Sequence, residues 1–268
     1  MIKLLVSDLD HTLLTYENDK TLIKDYDLEV LRRLQDQGIK VIVASGRDHG
    51  FIRNCLSSYD LSLDVIGANG STAVINDEVI ISHLVDVDAL KMVYEYVVST
   101  YPNIYMKASS IDNQEYRHGT LVKMRYRDVY QPISLKQFLM MEDIKVNRFV
   151  VSSEQQELFL EVMADLKDKF SAYFEINQSS SHLMDITPKG IDKGKTVKDV
   201  IAYLGFDKSE VASIGDSPND ISMFKNTSIS FAMVNGHHDV LNAADHIVDR
   251  FADVYEYLIK RLPLGNLD

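Results

Sequence analysis

Near its beginning the chain reads Ile2-Lys3-Leu4-Leu5-Val6-Ser7-Asp8-Leu9-Asp10-His11-Thr12. A short apolar run of this kind is typical of a strand buried in a parallel sheet. Ligands of open α/β sheets bind just beyond the carboxyl ends of such strands, where Asp8 and Asp10 stand. Carboxylates this close repel one another, and a hard cation such as Mg²⁺ would remove that cost. The alternative is that both are turn formers or a helix N-cap, where Asp is also common.

Composition narrows the class of protein. The chain has 268 residues, 46% of them hydrophobic, which suits one large or two small domains. A formal net charge of −12 argues against nucleic acid or an anionic membrane as the main partner. The single cysteine, Cys55, fits a reducing compartment and is expected to be buried and inert. Because we find neither a signal-peptide pattern nor a membrane-spanning apolar run, we expect a cytoplasmic protein of undetermined oligomeric state.

Strand and helix patterns alternate over residues 1–83 and again over residues 188–268, which is typical of a parallel-sheet α/β domain. Residues 84–187 differ, because helices there alternate with pairs of strand-like segments, one of them near Leu121–Tyr126. That order favours an α+β layer with a mostly antiparallel sheet. The sequence therefore predicts a Rossmann-like parallel-sheet core domain (1–83 and 188–268) interrupted by an inserted α+β domain (84–187).

Polar residues follow four of the predicted core strands: Asp8, Asp10 and Thr12 after the first, Ser45 after the second, Asn69 after the third, and Asp216 and Asp220 after the fourth. Parallel strands end at one edge of a sheet, so these side chains should point into one crevice. Lys193, at the start of a predicted helix, could reach the same place. The residues that converge here predict phosphoryl transfer through an aspartyl-phosphate.

Each residue type suits a part of that chemistry. Mg²⁺ held by Asp8, Asp216 and a backbone carbonyl near Asp10 would reduce the repulsion between a phosphate dianion and a carboxylate nucleophile. The Ser45 hydroxyl and the Lys193 ammonium would hold the phosphoryl oxygens. Asp10 would protonate the leaving oxygen and then deprotonate the water that hydrolyses the intermediate.

Four segments resemble, in order, the motifs of the haloacid-dehalogenase-like superfamily: Asp8-Leu9-Asp10-His11-Thr12-Leu13-Leu14, Ala44-Ser45-Gly46-Arg47, Gly190-Ile191-Asp192-Lys193-Gly194 and Gly215-Asp216-Ser217-Pro218-Asn219-Asp220. The insert lies between the second and third motifs, and Ala68-Asn69-Gly70 follows the third strand. In the position of this insert and of Ala68-Asn69-Gly70, the chain is similar to the Cof-type branch of sugar-phosphate phosphatases. The resemblance covers essentially the whole chain.

The resemblance implies a role for each matching residue. It implies that Asp8 is the nucleophile and Asp10 the general acid/base. It implies phosphate or substrate binding by Thr12, Ser45, Gly46, Arg47, Asn69, Lys193 and Asn219. It also implies Mg²⁺ ligation by Asp8, Asp10 and Asp216, with Asp220 in support. The insert would act as a cap that closes over the site and supplies specificity.

Two positions depart from the family pattern, and two other motifs are rejected. His11 stands where Gly is commonest, which we expect to be tolerated if its φ is negative. Residues 233–236 read Met-Val-Asn-Gly where Met-Gly-Asn-Ala is frequent. Residues 190–196 look like a P-loop but are one residue short, because Lys189 stands where Gly is needed. His237 and His238 are adjacent on a predicted helix start and should not face one another.

We therefore predict a Mg²⁺-dependent phosphatase that acts on small phosphorylated metabolites, with sugar phosphates as the expected class. Two alternatives stay open at this point. One is a phosphomutase acting on sugar phosphates, and the other is a non-catalytic phosphometabolite-binding protein of the same fold. The sequence predicts neither the substrate itself nor the cap residues that select it.

Overall fold

The structure, a computed structural model, describes residues 1–17, 20–112, 114–119 and 133–260. The strands in these ranges are β1 (Leu4–Ser7), β2 (Thr15–Glu17), β3 (Lys20–Leu22), β4 (Lys40–Ala44), β5 (Asp64–Gly67), β6 (Thr72–Ile75), β7 (Glu78–Ser82), β8 (Tyr105–Ser110), β9 (Glu115–His118), β10 (Ile133–Ser134), β11 (Val146–Ser152), β12 (Phe174–Ser180), β13 (Leu183–Pro188), β14 (Val211–Gly215), β15 (Ile229–Met233) and β16 (His246–Val248). The α-helices are α1 (Asp25–Asp36), α2 (His49–Ser57), α3 (Val87–Thr100), α4 (Leu135–Phe138), α5 (Gln156–Phe170), α6 (Lys193–Tyr203), α7 (Ile221–Phe224), α8 (His238–Ala243) and α9 (Val254–Lys260).

Eight strands form the main sheet in the order β16-β15-β14-β1-β4-β5-β6-β7. The strands from β16 to β5 run parallel, and β1 lies between β14 and β4. β6 and β7 form an antiparallel pair at one edge and are joined by a tight turn at Asn76 and Asp77. Both turn residues have positive φ (51° and 67°), as tight hairpin turns require. The carboxyl ends of β1, β4, β5 and β14 therefore meet at one edge of the sheet.

Apolar side chains cover both faces of the main sheet, as its near-continuous hydrophobic strands require. Within β1, Leu5 joins a cluster that includes Leu31 of α1, whereas Leu4 and Val6 join a cluster on the other face that includes Val197 of α6. Alternate residues of a strand point to opposite faces, so one short strand anchors both layers.

The second sheet has six strands in the order β10-β9-β8-β11-β13-β12, and its neighbours pair antiparallel except β9 with β10. One face of this sheet packs on α3 and α5 through an apolar cluster that includes Val93, Val97, Phe149, Phe159 and Val162. The opposite face carries Tyr105 and Lys107 of β8, because these alternate with the buried Met106 and Ala108.

The predicted fold class is confirmed: the protein is an α/β protein with a parallel-sheet core and an inserted α+β cap domain. The predicted strand near Leu121–Tyr126 lies outside the described residues. Four described strands were not predicted, namely β9, β10 and the short antiparallel pair formed by β2 and β3. Cys55 on α2 is half-buried rather than fully buried, and burial raises the pKa of its thiol. Within the described ranges, no helix has the length and apolar character needed to cross a membrane.

Asp27 is a buried carboxylate of α1, and it accepts a hydrogen bond from the backbone N–H of Ala252 (2.8 Å). Burial raises the pKa of Asp27 to about 6, against the opposing effects of that hydrogen bond and of Arg250. A carboxylate whose pKa is higher in the folded than in the unfolded state binds more protons when folded. The free energy of unfolding therefore falls as the pH rises from about 4 to 6, and Asp27 destabilises the fold above that window.

We expect Asp27→Asn to raise the free energy of unfolding at pH 7–8 by about 1–3 kcal/mol, because the amide cannot ionise but can still accept from Ala252. The gain should disappear at pH 4. Urea denaturation from pH 4 to 8, with the exposed Asp25→Asn as control, measures this. A pH-independent difference between wild type and Asp27→Asn would contradict it.

Candidate active site

A cavity of about 450 Å³ lies between the carboxyl ends of the main-sheet strands and the second sheet. Asp8, Asp10 and Ser45 line it from the main sheet, and Lys107, Glu115 and Arg117 line it from the second sheet. Asp8 directly follows β1, and its N–H donates to Ile214 of β14 (2.9 Å), which fixes the carboxylate at the centre of the sheet edge. Three of the strand-end residues predicted to share one crevice, namely Asp8, Asp10 and Ser45, are thus brought together in this cavity.

Lys193 is the first residue of α6, and its ammonium is buried between two carboxylates. Its Nζ lies 2.6 Å from Oδ1 of Asp8 and 2.6 Å from Oδ1 of Asp220. Burial lowers the pKa of Lys193, but Asp220 and Asp8 outweigh it and hold that pKa above its usual value. Burial raises the pKa of Asp8 well above its usual range, with Lys193 acting in the opposite direction. With two carboxylates in contact, Lys193 keeps its proton and stays an ammonium.

Three carboxylates form a group that could hold a metal ion. Ligand oxygens of Asp8, Asp216 and Asp220 all lie within 4.8 Å of one another. Burial, followed by the charge of Asp220, raises the pKa of Asp216 to about 6. Lys193 offsets only one of the three negative charges, so a divalent cation with oxygen ligands fits this donor set.

Asp220 has its oxygens already engaged. Its Oδ2 accepts the backbone N–H groups of Asp216 and Ser217 (both 3.0 Å), while Oδ1 contacts Lys193. Asp216 receives weaker contacts from hydroxyls, from Ser217 at 3.1 Å and from Thr12 at 3.4 Å. Asp220 therefore orients the turn after β14, and the outer oxygens of Asp8 and Asp216 are better disposed to ligate a cation.

Asp10 does not join that carboxylate group. Its oxygens accept hydrogen bonds from Arg47, Nε to Oδ2 at 3.1 Å and Nη2 to Oδ1 at 2.9 Å, and from the Tyr16 hydroxyl. Burial alone would raise the pKa of Asp10, but Arg47 and Tyr16 outweigh it and lower that pKa. Asp10 is therefore an ionised carboxylate in this state, and its part in metal ligation stays a prediction.

Asn69 and Asn219 are linked to each other and to the second sheet. Asn219 donates to Oδ1 of Asn69 (2.8 Å), and Asn69 donates to Oδ2 of Asp185 on β13 (2.7 Å). Gly46 allows this approach, because a Cβ there would lie 3.3 Å from both Asn69 and Asp185. Arg148 of β11 donates to the other oxygen of Asp185 (2.6 Å).

The network of polar side chains continues from Arg148 to Asp48, which directly precedes α2. Nη1 of Arg148 lies 3.6 Å from Oδ2 of Asp48, which also accepts from Ser109 of β8 (3.3 Å). Sequence reasoning missed Arg148, Asp185 and Asp48, because no local motif marks partners that are this far apart in the chain. The network fixes how the face of the second sheet meets the predicted site.

The backbone conformation of His11 differs from the one expected from the sequence. Its φ is +62°, in the left-handed region that favours Gly, and not negative as the sequence analysis supposed. A conformation of this kind costs a non-glycine residue roughly 1–3 kcal/mol. The ring of His11 packs at 4.7 Å on that of Tyr16, and both line the cavity. Tyr16, on the unpredicted β2, was also missed.

Ser45, predicted to bind phosphate, is buried in the wall of the same cavity, and its hydroxyl accepts the N–H of Arg47 (3.1 Å) at the carboxyl end of β4.

A second group of possible metal ligands lies at the start of α8. His237, His238 and Asp239 bring ligand atoms within 4.8 Å of one another, contrary to the expectation that adjacent residues would not converge. All three are exposed at the start of α8, and the predicted helix start is confirmed.

A second hollow, of about 520 Å³, lies at the amino ends of the main-sheet strands and is distant from the carboxylates. Its charged lining is paired internally, Lys40 with Asp64 and Arg53 with Asp77. The chemistry of the molecule therefore concentrates at the carboxyl edge, where the buried ammonium and carboxylates meet.

Comparison with known proteins places the chain among phosphatases. The sequence model of the family described as haloacid dehalogenase-like hydrolase matches residues 5–258. The chain is 28% identical over 249 residues to the 5-amino-6-(5-phospho-D-ribitylamino)uracil phosphatase YcsE of Bacillus subtilis, covering 92% of this chain and 90% of that protein. It is 26% identical over 250 residues to a phosphoglycolate phosphatase of Methanospirillum hungatei, with 92% and 90% covered. A solved haloacid dehalogenase-like hydrolase from B. subtilis shares the fold, with a TM-score of 0.84 at 20% identity over 96% of this chain and 100% of that chain.

The contacts of Asp220 predict a strong effect on stability. Asp220→Asn would place an amide where Lys193 and two backbone N–H donors all require an acceptor. We expect the free energy of unfolding to fall by about 3–5 kcal/mol, as when a buried ion pair loses one partner. Asp199→Asn, which breaks an exposed pair with Lys195, is the matched control and should cost less than about 1 kcal/mol. Urea denaturation in EDTA measures both, and equal losses would contradict the prediction.

Proposed function

Because this chain belongs to the haloacid dehalogenase-like hydrolase family and is a phosphoric monoester hydrolase, we propose that it hydrolyses small phosphorylated metabolites through an aspartyl-phosphate on Asp8. Sugar phosphates are the expected class of substrate. One observation carries the proposal: the carboxylate of Asp8 is fixed at the sheet edge, 2.6 Å from the ammonium of Lys193, at the end of a cavity of metabolite size.

We propose that the acidic group binds Mg²⁺. Asp8 and Asp216 would hold the ion, with Asp220 supporting the turn that carries Asp216. When bound, the ion would supply positive charge against the phosphate dianion and the carboxylates. Lys193 and the Ser45 hydroxyl would bind phosphoryl oxygens.

In the first step an oxygen of Asp8 would bond to phosphorus while the bond from phosphorus to the leaving oxygen breaks. Asp10 would give its proton to that leaving oxygen. In the second step water would attack phosphorus and lose a proton to Asp10, and inorganic phosphate would leave as Asp8 is regenerated. Asp10 is ionised in the present state because Arg47 and Tyr16 contact it. Its action as an acid therefore requires Arg47 to turn from Asp10 toward the substrate.

We propose that residues 84–187 form the cap, and that residues 1–83 and 188–268 form the catalytic core. The polar contacts of Asp185 with Asn69, and of Arg148 with Asp48, support a closed state in which the second sheet covers the carboxylates. Opening at residues 82–86 and 186–190 would admit substrate, and closure would exclude bulk water.

The proposal predicts phosphate release that depends on Mg²⁺ and on Asp8. We expect Asp8→Asn to abolish turnover with the fold intact, because an amide is not a nucleophile here. Asp10→Asn should lower kcat by about 10²–10⁴-fold, because it removes the general acid and base. Phosphate release from a panel of phosphorylated metabolites, with Mg²⁺ and with EDTA, measures this, and the exposed Asp36→Asn is the control.

Near-normal rates in either variant would refute the mechanism. Bisphosphate-dependent isomerisation without net phosphate release would identify the phosphomutase instead. Tight binding of a phosphorylated metabolite with neither reaction would identify the binding protein of the same fold.

A further inference from the structure

Two cations stand directly opposite each other on the cavity face of the second sheet. Lys107 of β8 and Arg117 of β9 are register partners in an antiparallel pair. Like charges in that relation destabilise a sheet, since their Cβ atoms lie only about 4.5–5.5 Å apart. Both side chains line the same cavity as Asp8 and Asp10. Without a compensating charge, this pair would therefore destabilise the sheet.

Glu115 contacts both cations. One carboxylate oxygen pairs with Nζ of Lys107, and the other lies 2.5 Å from Nη2 of Arg117. The three side chains are only 14–17% exposed, so they are held in the cavity wall and do not extend into solvent. Burial would raise the pKa of Glu115, but the two cations outweigh it and keep that pKa low. Glu115 is thus ionised, and it pairs with both Lys107 and Arg117.

Lys107 keeps capacity for a ligand. An ammonium has three N–H donors. Among the residues that the structure describes, Glu115 is its one partner, and Glu115 also serves Arg117. Arg148 on the same face differs, because Asp185 and Asp48 both lie against its guanidinium. The second-sheet wall of the cavity therefore carries a positive charge of its own, separate from Lys193 at the start of α6 and from Arg47 after β4.

We propose that Lys107, with Arg117 beside it, is a subsite for a second anionic group carried by the leaving group of the substrate. This inference rests on the proposed function, because it assumes that the phosphoryl group to be transferred lies at Asp8. The preferred substrates are then dianionic at one end and charged at the other, either phosphorylated acids or bisphosphates. A partly desolvated ammonium forms strong charge-assisted hydrogen bonds, so the site would bind a substrate with a second anionic group more tightly than one without it.

The test compares substrates with and without a second anionic group. 6-Phosphogluconate against the open-chain glucitol 6-phosphate, and 3-phosphoglycerate against glycerol 3-phosphate, test a carboxylate at two lengths. Glucose 1,6-bisphosphate against glucose 6-phosphate tests a second phosphate. With Mg²⁺ present, we expect kcat/KM to be at least tenfold higher for the member that carries the second anionic group, in at least one pair. The pair that responds identifies the source of the anion.

Lys107→Gln should lower that preference at least tenfold through KM, with less than a threefold change for the member that lacks the second anionic group. Lys107→Arg keeps the charge and should retain most of the preference, and Arg117→Gln should weaken it in the same direction as Lys107→Gln. Lys91→Gln is the matched control, since Lys91 pairs with Asp88 on α3, outside the cavity. A wild-type preference near one in every pair, or equal losses for both members in Lys107→Gln, would overturn the subsite.

Binding separates this inference from the proposed function. Calorimetric Kd values for the same pairs, measured in Asp8→Asn with and without Lys107→Gln, report the preference without turnover. If no compound is hydrolysed but the Kd ratio still depends on Lys107, the subsite stands and the phosphatase proposal fails. If hydrolysis occurs and the Kd ratio is the same with and without Lys107→Gln, the phosphatase proposal stands and the subsite fails.

Discussion

The ammonium of Lys193 is buried with Asp8 and Asp220 each 2.6 Å away. A charge in such a place is tolerated only when it is paired, and each carboxylate in turn needs that ammonium. The three side chains come from the end of β1, the start of α6 and the turn after β14, so their pairing sets how these elements meet. Asp220 extends the constraint by accepting the N–H groups of Asp216 and Ser217, which orients Asp216 toward Asp8.

That constraint also explains how the core accommodates a long insertion. Asp8 and Lys193 are 185 residues apart in the chain, yet they are in contact. Gly194 lies so close to Ser222 that a Cβ there would approach its backbone oxygen to 2.1 Å, which shows how tightly α6 is seated. These short-range contacts fix the returning chain, so Asp8 and Lys193 are paired despite the long insertion between them.

The parts of the site that sequence reasoning could predict follow from local rules. A buried parallel strand places the next polar residue at the sheet edge, so Asp8, Ser45, Asn69 and Asp216 were expected together. The missed features depend on register between distant strands. The sequence Glu-Tyr-Arg-His of β9 carries one apolar residue, so nothing in it reveals that Arg117 faces Lys107. Likewise, no neighbouring residue in the sequence signals the positive φ of His11. In the structure, the ring of His11 packs on that of Tyr16.

The contacts between the two sheets at this site are polar, and their chemistry bears on how the site would open. A hydrogen bond such as Asn69 to Asp185 is exchanged for water at a net cost of only about 0.5–1.5 kcal/mol, or somewhat more with a charged partner. A wholly apolar interface of similar extent would resist separation more strongly. Because Asn219 links Asn69 to the turn that carries Asp216 and Asp220, breaking the contact with Asp185 also frees a group beside the carboxylates. Opening of the second sheet would therefore be coupled, through this one amide pair, to the order of the proposed phosphate site.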